Sequence, residues 1–520
     1  MSDIDTALHI FSREEEEQMA QKAAQKANLP YIGLVNYPFT PDVLSVIPKE
    51  IVSKIRTVAF YKLNNEIKVA TDSPKDPNII PALKELSAAL NVKFFLYYCS
   101  KSSIDYAIAQ LEFLKEKPKD MSKHVVSDEY IKSKFGGAAD LKTIGRRIVE
   151  TSTSEILDIV FAGAIHLGAS DIHIEPIEDG ARLRYRIDGI LQDIATLPAE
   201  TYKAVKNRIK YLSALKMNIA DEPQDGRFDI EIGKLAIDVR VSLMPSAYGE
   251  VIVTRLLNPT GSLISLEELG FNARALKDIE EAISKPNGAI FNTGPTGSGK
   301  TTTLYAVLQK LNKPEVKIIT LEDPIEYRIE GIDQSQMNIE AGYDFASGLK
   351  HALRQDPDVI MVGEIRDKET AETALQASLT GHLVLTTLHT NSAPSTIPRM
   401  IDIGVRPFLL SGSINLIIAQ RLVRKVCQSC KGSARRATPG EGTGTNCDVC
   451  KGTGFKGRIA IIETLKISPA IEKLIAAQAT VSDFERVARE QGMITMFTDG
   501  MEKVKLGLTT EEEVRRVATE

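Results

Sequence analysis

Hydrophobic and polar positions follow different periods in successive parts of this chain. Up to about Leu114 the two basic periods mix. Thr57–Tyr61 and Ile67–Ala70 read as strands around an Asn64-Asn65 turn; a helix near Ile80–Leu90, a strand at Val92–Tyr98 and a helix near Ile104–Leu114 follow. This predicts a small α+β domain over residues 1–115. Residues 116–142 lose the periodicity and fill with Lys, Pro, Ser, Asp and Gly, which predicts a linker. Over 143–258 the apolar positions alternate, at Asp171–Glu175, Arg182–Arg186, Phe228–Ile232, Ala236–Val241 and Val251–Leu256. Helices at Ile156–Leu167 and near Tyr202–Leu215 interrupt them. A half-buried antiparallel sheet with two helices is expected there. From 259 to 520 short apolar runs alternate with helical ones, the pattern of a parallel α/β core.

In that last region Gly294-Pro295-Thr296-Gly297-Ser298-Gly299-Lys300-Thr301-Thr302 lies between an apolar run, Ala289–Thr293, and a helical one. Leu304, Val307, Leu308 and Leu311 mark the helix's buried face. A glycine-rich turn between strand and helix lets backbone N–H groups curl round a phosphate chain, and the helix N-terminus adds its positive end. Lys300 is expected at the β- and γ-phosphates and the Thr301 hydroxyl on Mg²⁺. The chain should therefore bind a nucleoside triphosphate.

Three further strand-like runs end in chemistry. Val316–Leu321 leads into Glu322 and Glu326, Val359–Val362 into Gly363-Glu364, and His382–Leu388 into His389. In a parallel sheet such ends share one crevice. Acidic groups there suit Mg²⁺ and an attacking water, and a polar residue on the next strand suits sensing the γ-phosphate. Gly363 stands where a metal-holding aspartate is usual, so Glu364 and a glutamate of the neighbouring strand must share its work. Glu326 is assigned to orient the water, Glu364 to support metal and water, and Glu322 to the same nucleotide site. Positive charge for the transition state could come from Arg227 and Arg240 of the second region, or from Arg354, four residues after Lys350.

Size and composition narrow the class. The 520 residues are too many for one core; 43% hydrophobic and 26% charged residues describe an ordinary globular protein, and a net charge of −5 implies no global polyanion-binding surface. No apolar run reaches 18 residues and the first residues are acidic, so neither a membrane span nor a signal peptide is expected, and the chain should stay in the cytoplasm. Arg13–Glu17 reads as a solvated helix face, and Cys99 as a small core residue. The other four cysteines form Cys427-x-x-Cys430 and Cys447-x-x-Cys450 with 16 residues between. Two such pairs suit a closed, structural tetrahedral Zn²⁺. Residues 421–460 carry nine Lys or Arg against two acids, a formal +7, which a Zn(Cys)₄ centre of −2 reduces to +5. That module could touch nucleic acid, an anionic membrane or an acidic protein.

These residues together resemble the secretion ATPases of type II secretion and type IV pilus assembly. The resemblance covers nearly everything after residue 145: Ala169–Pro176, Arg184–Gly189, Pro223–Arg227, the phosphate loop, Leu321–Tyr327, Arg354–Asp367, Thr380–Asn391, the cysteine pairs, Gly457-Arg458 and Asp499–Lys503. It implies a RecA-like P-loop NTPase core carrying the Cys₄ zinc module at 423–459, preceded by an α+β, PAS-like domain and a small α+β N-terminal domain. It further implies a homohexamer, peripheral at the cytoplasmic face of the inner membrane. Hydrolysis of ATP would drive an inner-membrane platform protein, and a cytoplasmic membrane-docking protein would hold the motor in place. Arg227 and Arg240 match arginines that reach nucleotide from the second domain, and Lys350 stands where many members have arginine. The cysteine pairs and the first domain favour assembly over retraction. No Arg-Leu-Gly…Leu pattern for a cyclic dinucleotide is found. A DNA-uptake or nucleic-acid motor and a nucleotide-gated scaffold are the alternatives.

Overall fold

The computed structural model describes residues 16–519 apart from 36, 38, 40, 64–65, 91, 116–122, 127–140, 151–154, 233–234, 258–263 and 434–446. The expected Asn64-Asn65 turn, the start of the acidic run at 13–17 and most of the linker lie outside them. Two compact units emerge: the residues up to His124 with Ile209–Gln224, and Val125–Arg208 with Asp225–Glu520.

In the first unit β1 (Thr57–Leu63), β2 (Glu66–Thr71) and β3 (Lys93–Tyr98) form a sheet in that order. β1 and β2 are antiparallel, β2 and β3 parallel. The helices Ile79–Leu90 and Lys101–Lys115 belong to the same unit, and Val58, Val69, Ile79, Ile104 and Cys99 share its core. Cys99 is fully buried, as a small core residue should be.

The antiparallel sheet runs β4 (Lys123–Val126), β8 (Gln224–Ile232), β9 (Leu235–Ser246), β10 (Gly249–Leu257), β5 (Ala169–Ile177), β6 (Gly180–Ile187), β7 (Ile190–Pro198). Its alternation is physical: Ile172 and Ile174 are fully buried while His173 between them is not. Two strands differ from expectation. β4 lies within the stretch read as linker, and β7 follows the Asp188-Gly189 turn through a run with little alternation in burial.

The parallel sheet runs β13 (Asp333–Gln336), β12 (Ile318–Glu322), β14 (Val359–Val362), β15 (Leu383–Leu388), β11 (Gly288–Thr293), β16 (Ile414–Val426), β17 (Phe455–Lys466). Every recorded pairing in it is parallel except β16 with β17. Strands buried on both faces need no alternation of polarity, yet their side chains still divide by twos. Ala289, Phe291, Ile360 and Val362 enter one core, with the helices Phe345–Ala352 and Lys368–Leu379. Ile290, Val359 and Met361 enter the other, with Ala273–Ile283 and Lys300–Leu311. Among the described residues no helix is long and apolar enough to cross a membrane.

One buried ion pair ties the end of the chain to this sheet. Asp499, 1% exposed, accepts from Lys503 Nζ at 2.6 Å, Ile462 N of β17 at 2.9 Å and Asn272 Nδ2 at 2.9 Å. Asn272 in turn caps the helix Ala273–Ile283 through Ala275 N. At Gly500 a Cβ would stand 2.6 Å from Val514 Cγ1, so only glycine fits. Asp499-Gly-Met-Glu-Lys503 is thus a packing and ion-pair motif. Asp499→Ala strands a buried ammonium and should cost about 3–5 kcal/mol, read as a lower denaturant midpoint for the second unit.

Candidate functional site

The carboxyl ends of β11, β12, β14 and β15 open on one crevice of about 1020 Å³. Pro295–Thr302, Glu322, Glu326, Glu364 and His389 line it, so the phosphate loop and the residues assigned at three further strand ends are brought together. The loop's form needs its glycines. Gly297 and Gly299 adopt φ of 78° and 88°, in the left-handed region that side chains disfavour. A Cβ on Gly294 would stand 2.6 Å from Ser298 Oγ and 2.7 Å from the Gln420 carbonyl oxygen, whereas one on Gly297 would meet nothing. The loop is packed below and open above, where a phosphate would approach.

Lys300 is 9% exposed, and its Nζ donates to Gly294 O at 2.7 Å and Pro295 O at 3.1 Å. Burial pulls its ammonium down to about 8; Glu364 opposes that shift and Arg421 reinforces it. Ser298 Oγ is buried with no hydrogen-bond partner among the described residues. Thr301 is exposed at the mouth. An ammonium on backbone carbonyls and an unused buried hydroxyl both fit a polyanionic ligand.

The glutamates occupy different environments. Glu322 is 3% exposed and accepts from Tyr305 Oη, from Thr320 Oγ1 at 2.6 Å and from Gln334 Nε2 at 3.0 Å. Burial and then this bond raise the Tyr305 hydroxyl well above its usual range. Tyr305 also meets Tyr327 edge-on, with ring centres 4.5 Å apart. This network ties the phosphate-loop helix to the end of β12, from which the segment carrying Glu326 leads. Glu326 is more exposed, 3.7 Å from Arg240 Nη1, and Arg240 Nη2 donates to Ile325 O at 3.1 Å. Glu364 pairs with Arg366 and stands 3.4 Å from His389 Nε2. At Gly363 a Cβ would be 3.1 Å from the Leu321 carbonyl oxygen and 3.4 Å from the Phe345 ring. Crowding therefore disfavours a side chain at 363, and the carboxylate stands one residue later.

Not every expected group reaches the crevice of its own chain. Arg227 is exposed on β8 between inward-facing neighbours such as Phe228, and Arg354 is exposed in the short turn Leu353–Gln355. Lys350 pairs with Glu369. Among the described residues Arg240 touches the site through Glu326 and Ile325. Conversely, Arg186, Arg255, Arg421 and Arg458 line the crevice without having been singled out for it. Asp171, 4% exposed, gathers Arg255 at 3.0 Å and Arg186 at 3.4 Å.

Gln420 was also missed. It is 1% exposed on β16; its Nε2 donates to Ser298 O at 2.7 Å, and its Oε1 accepts from Thr303 Oγ1 at 2.8 Å and Asn292 Nδ2 at 3.2 Å. One amide thus holds the loop, the helix after it and the strand before it. A signal existed: Gln420-Arg421 is a polar pair inside the long apolar run of β16, and buried polar groups require partners.

At the far end of the β16–β17 hairpin the four cysteine Sγ atoms lie within 4.8 Å of one another, with Cys427–Cys447 at 3.8 Å and Cys430–Cys450 at 3.7 Å. Four ligands at about 2.3 Å from a tetrahedral centre stand about 3.8 Å apart, so the set fits a Zn²⁺ ion. The two knuckles repeat each other. Cys430-Lys431-Gly432 and Cys450-Lys451-Gly452 both turn through left-handed conformations, with φ of 48° and 79° in one and 53° and 85° in the other.

Gln420→Ala removes the bonds to Ser298 O, Thr303 Oγ1 and Asn292 Nδ2, of which Asn292 keeps a second acceptor in Lys300 O. It should lower stability by about 1–3 kcal/mol and weaken nucleotide binding, measured by thermal melts with and without ATP.

Comparison with known proteins gives the site its setting. Residues 149–516 match the family model described as type II/IV secretion system protein, and residues 27–116 match that of the MshEN domain. The type IV pilus assembly ATPase PilB of Myxococcus xanthus is 36% identical over 98% of this chain and 93% of its own length. Type II secretion system protein E of Pseudomonas aeruginosa is 42% identical over 74% of this chain and 81% of its own. Among solved structures, the Legionella pneumophila ATPase DotB shares the fold, with a TM-score of 0.53 at 24% identity over 69% of this chain and 94% of that one. The chain belongs to the type II/IV secretion system protein family and is one of its ATPases.

Proposed function

We propose that this chain is the cytoplasmic, ATP-hydrolysing motor of a machine that assembles a type IV pilus or a type II secretion pseudopilus. It would act as a homohexamer, peripheral at the inner membrane, on a platform protein there, and a cytoplasmic membrane-docking protein would hold it in place. The observation that carries this reading is the crevice in which a phosphate loop meets the carboxylates of two neighbouring strands and the histidine of a third. In this reading the parallel sheet is a RecA-like core and the antiparallel sheet a PAS-like domain, preceded by a docking domain over 1–115.

The residues divide the work. Gly294–Thr302 bind the triphosphate, Lys300 leaving its loop carbonyls for the β- and γ-phosphates. Glu326 orients the attacking water and accepts its proton, while Glu322, saturated by three donors, fixes the end of β12 from which the Glu326 segment leads. Glu364 supports the metal side of the site and holds His389 at the γ-phosphate position. Mg²⁺, held by Thr301 and the Glu364 side of the crevice, would supply charge neutralisation for the transferred phosphoryl group. Arg240 approaches the site within one chain through Glu326. Arg227 and Arg354, exposed in their own chain, are assigned to a neighbouring subunit's nucleotide, as arginine fingers commonly are.

Zn²⁺ on Cys427, Cys430, Cys447 and Cys450 would be structural, since four thiolates leave no open position. Metal analysis should find about one zinc per chain in the native protein and none in the Cys430→Ser/Cys450→Ser variant.

Phosphate release by the size-fractionated protein tests the function. Turnover in the hexamer fraction should fall on the order of a hundredfold or more in Lys300→Ala and in Glu326→Gln, and DNA should leave it unchanged. Strong stimulation by DNA would favour a nucleic-acid motor instead, and absence of turnover with lipid present would point to a scaffold.

A further inference from the structure

Arg421 is the neighbour of the loop-holding Gln420 and faces the same crevice. Its side chain is more than nine-tenths buried, at 8% exposed. Nη1 donates to Gln420 O at 3.0 Å and Nη2 to Asn391 O at 2.9 Å. Among the described residues no carboxylate pairs with it. A guanidinium has five N–H donors and keeps its charge at any working pH, so carbonyls satisfy its geometry only in part and its charge not at all. Burying such a cation without an anion is costly, and the usual resolution is a phosphate or carboxylate in bidentate contact.

Its position says which anion. A Cβ built on Gly294, the first glycine of the phosphate loop, would stand 3.1 Å from Arg421 Nη1. The same Gly294 carbonyl receives the Lys300 ammonium. Two cations therefore approach one turn of the loop: burial lowers Arg421 below its usual range, and Arg421 contributes to the lowering at Lys300. Glu463 opposes the shift at Arg421 without pairing with it, because its oxygens are taken by backbone. It is 5% exposed, accepts from Ala393 N at 2.8 Å and Met496 N at 3.1 Å, and is itself pushed upward by burial.

We propose that Arg421 is a phosphate-binding residue of the nucleotide site, supplied by the same chain from β16, which grips the polyphosphate of ATP beside Lys300. Its bond to Asn391 makes that grip felt in the segment that follows His389, so an occupied phosphate site and the histidine strand are held in one register. This rests on the nucleotide reading of the crevice.

The test uses the full-length protein and inorganic tripolyphosphate, ATP and adenosine, with Arg421→Gln, Arg421→Lys and Lys300→Ala compared by calorimetry. Arg421→Gln should weaken tripolyphosphate and ATP tenfold or more and change adenosine less than twofold, and Arg421→Lys should recover part of the loss. Unchanged tripolyphosphate affinity in Arg421→Gln, with Lys300→Ala still defective, overturns the proposal and leaves the nucleotide reading intact. Equal losses for adenosine and ATP, or unfolding of Arg421→Gln with no recovery in a folded Arg421→Lys, also overturn it by making Arg421 a structural strut. Absence of ATP binding by the unaltered protein overturns both readings.

Discussion

The crevice at the strand ends is organised around two buried cations, Lys300 and Arg421, with which no carboxylate pairs directly among the described residues. Lys300 is held in a tight turn by two carbonyls of its own loop, and a second cation, Arg421, approaches the same turn at Gly294. Such an arrangement survives only if the surrounding backbone is fixed by other means, because the charges themselves push it apart. The means are the fully buried β11, paired in parallel on both sides, and the Gln420 amide that spans loop, helix and strand. The fold's stability thus lies in apolar layers on either face of the sheet, and the site's unresolved charge is available to a ligand.

β16 joins distant parts of the second unit. Its 13 residues span roughly 40 Å at about 3.4 Å each. It carries Gln420 and Arg421 at the crevice and delivers Cys427 at its end, while β17 returns from the second cysteine pair. Along the way Arg424 lies over the Phe455 ring at 4.1 Å and binds the buried Glu513. Burial alone would raise Glu513, but hydrogen bonds from Arg424 and Arg516 hold it down to about 2. One hairpin therefore connects the phosphate loop, the cysteine knuckles and the helix Glu511–Val517, with Arg516 of that helix back at the crevice. The family resemblance explains why these motifs occur in one chain; the hairpin explains how they are held together.

Much of this was legible in the sequence, and the exceptions have physical causes. The short apolar runs before Gly294, Glu364 and His389 are strands because only a sheet buried on both faces asks for uninterrupted hydrophobicity. Their ends could therefore be placed on one crevice. β13, Asp333-Gln-Ser-Gln336, gave no such signal, since an edge strand with a polar sequence is set by its partner β12 and not by its own pattern. β4 was read as linker for the same reason. Arginine roles were the least legible: Arg421, Arg255 and Arg186 line the crevice and Arg227 and Arg354 do not, and which arginine does so depends on which strand face meets the crevice, not on spacing. Gln420 could have been found by asking why an amide interrupts an apolar strand.

Nucleotide binding relieves the cost at which the crevice holds its buried cationic charge. Lys300, lowered to about 8 in the free protein, would be raised again beside a triphosphate. At about pH 8.5 the free ammonium is mostly deprotonated and the bound one protonated, so ATP binding takes up most of a proton, and affinity falls as pH rises through that range. Calorimetry of ATP binding in two buffers of different ionisation enthalpy reads this directly. Uptake of a substantial fraction of a proton at pH 8.5, vanishing near pH 6.5 once the overlapping titration of free ATP is subtracted and absent from Lys300→Met, is the predicted result. Binding of ATP with no proton uptake at pH 8.5 would contradict the account.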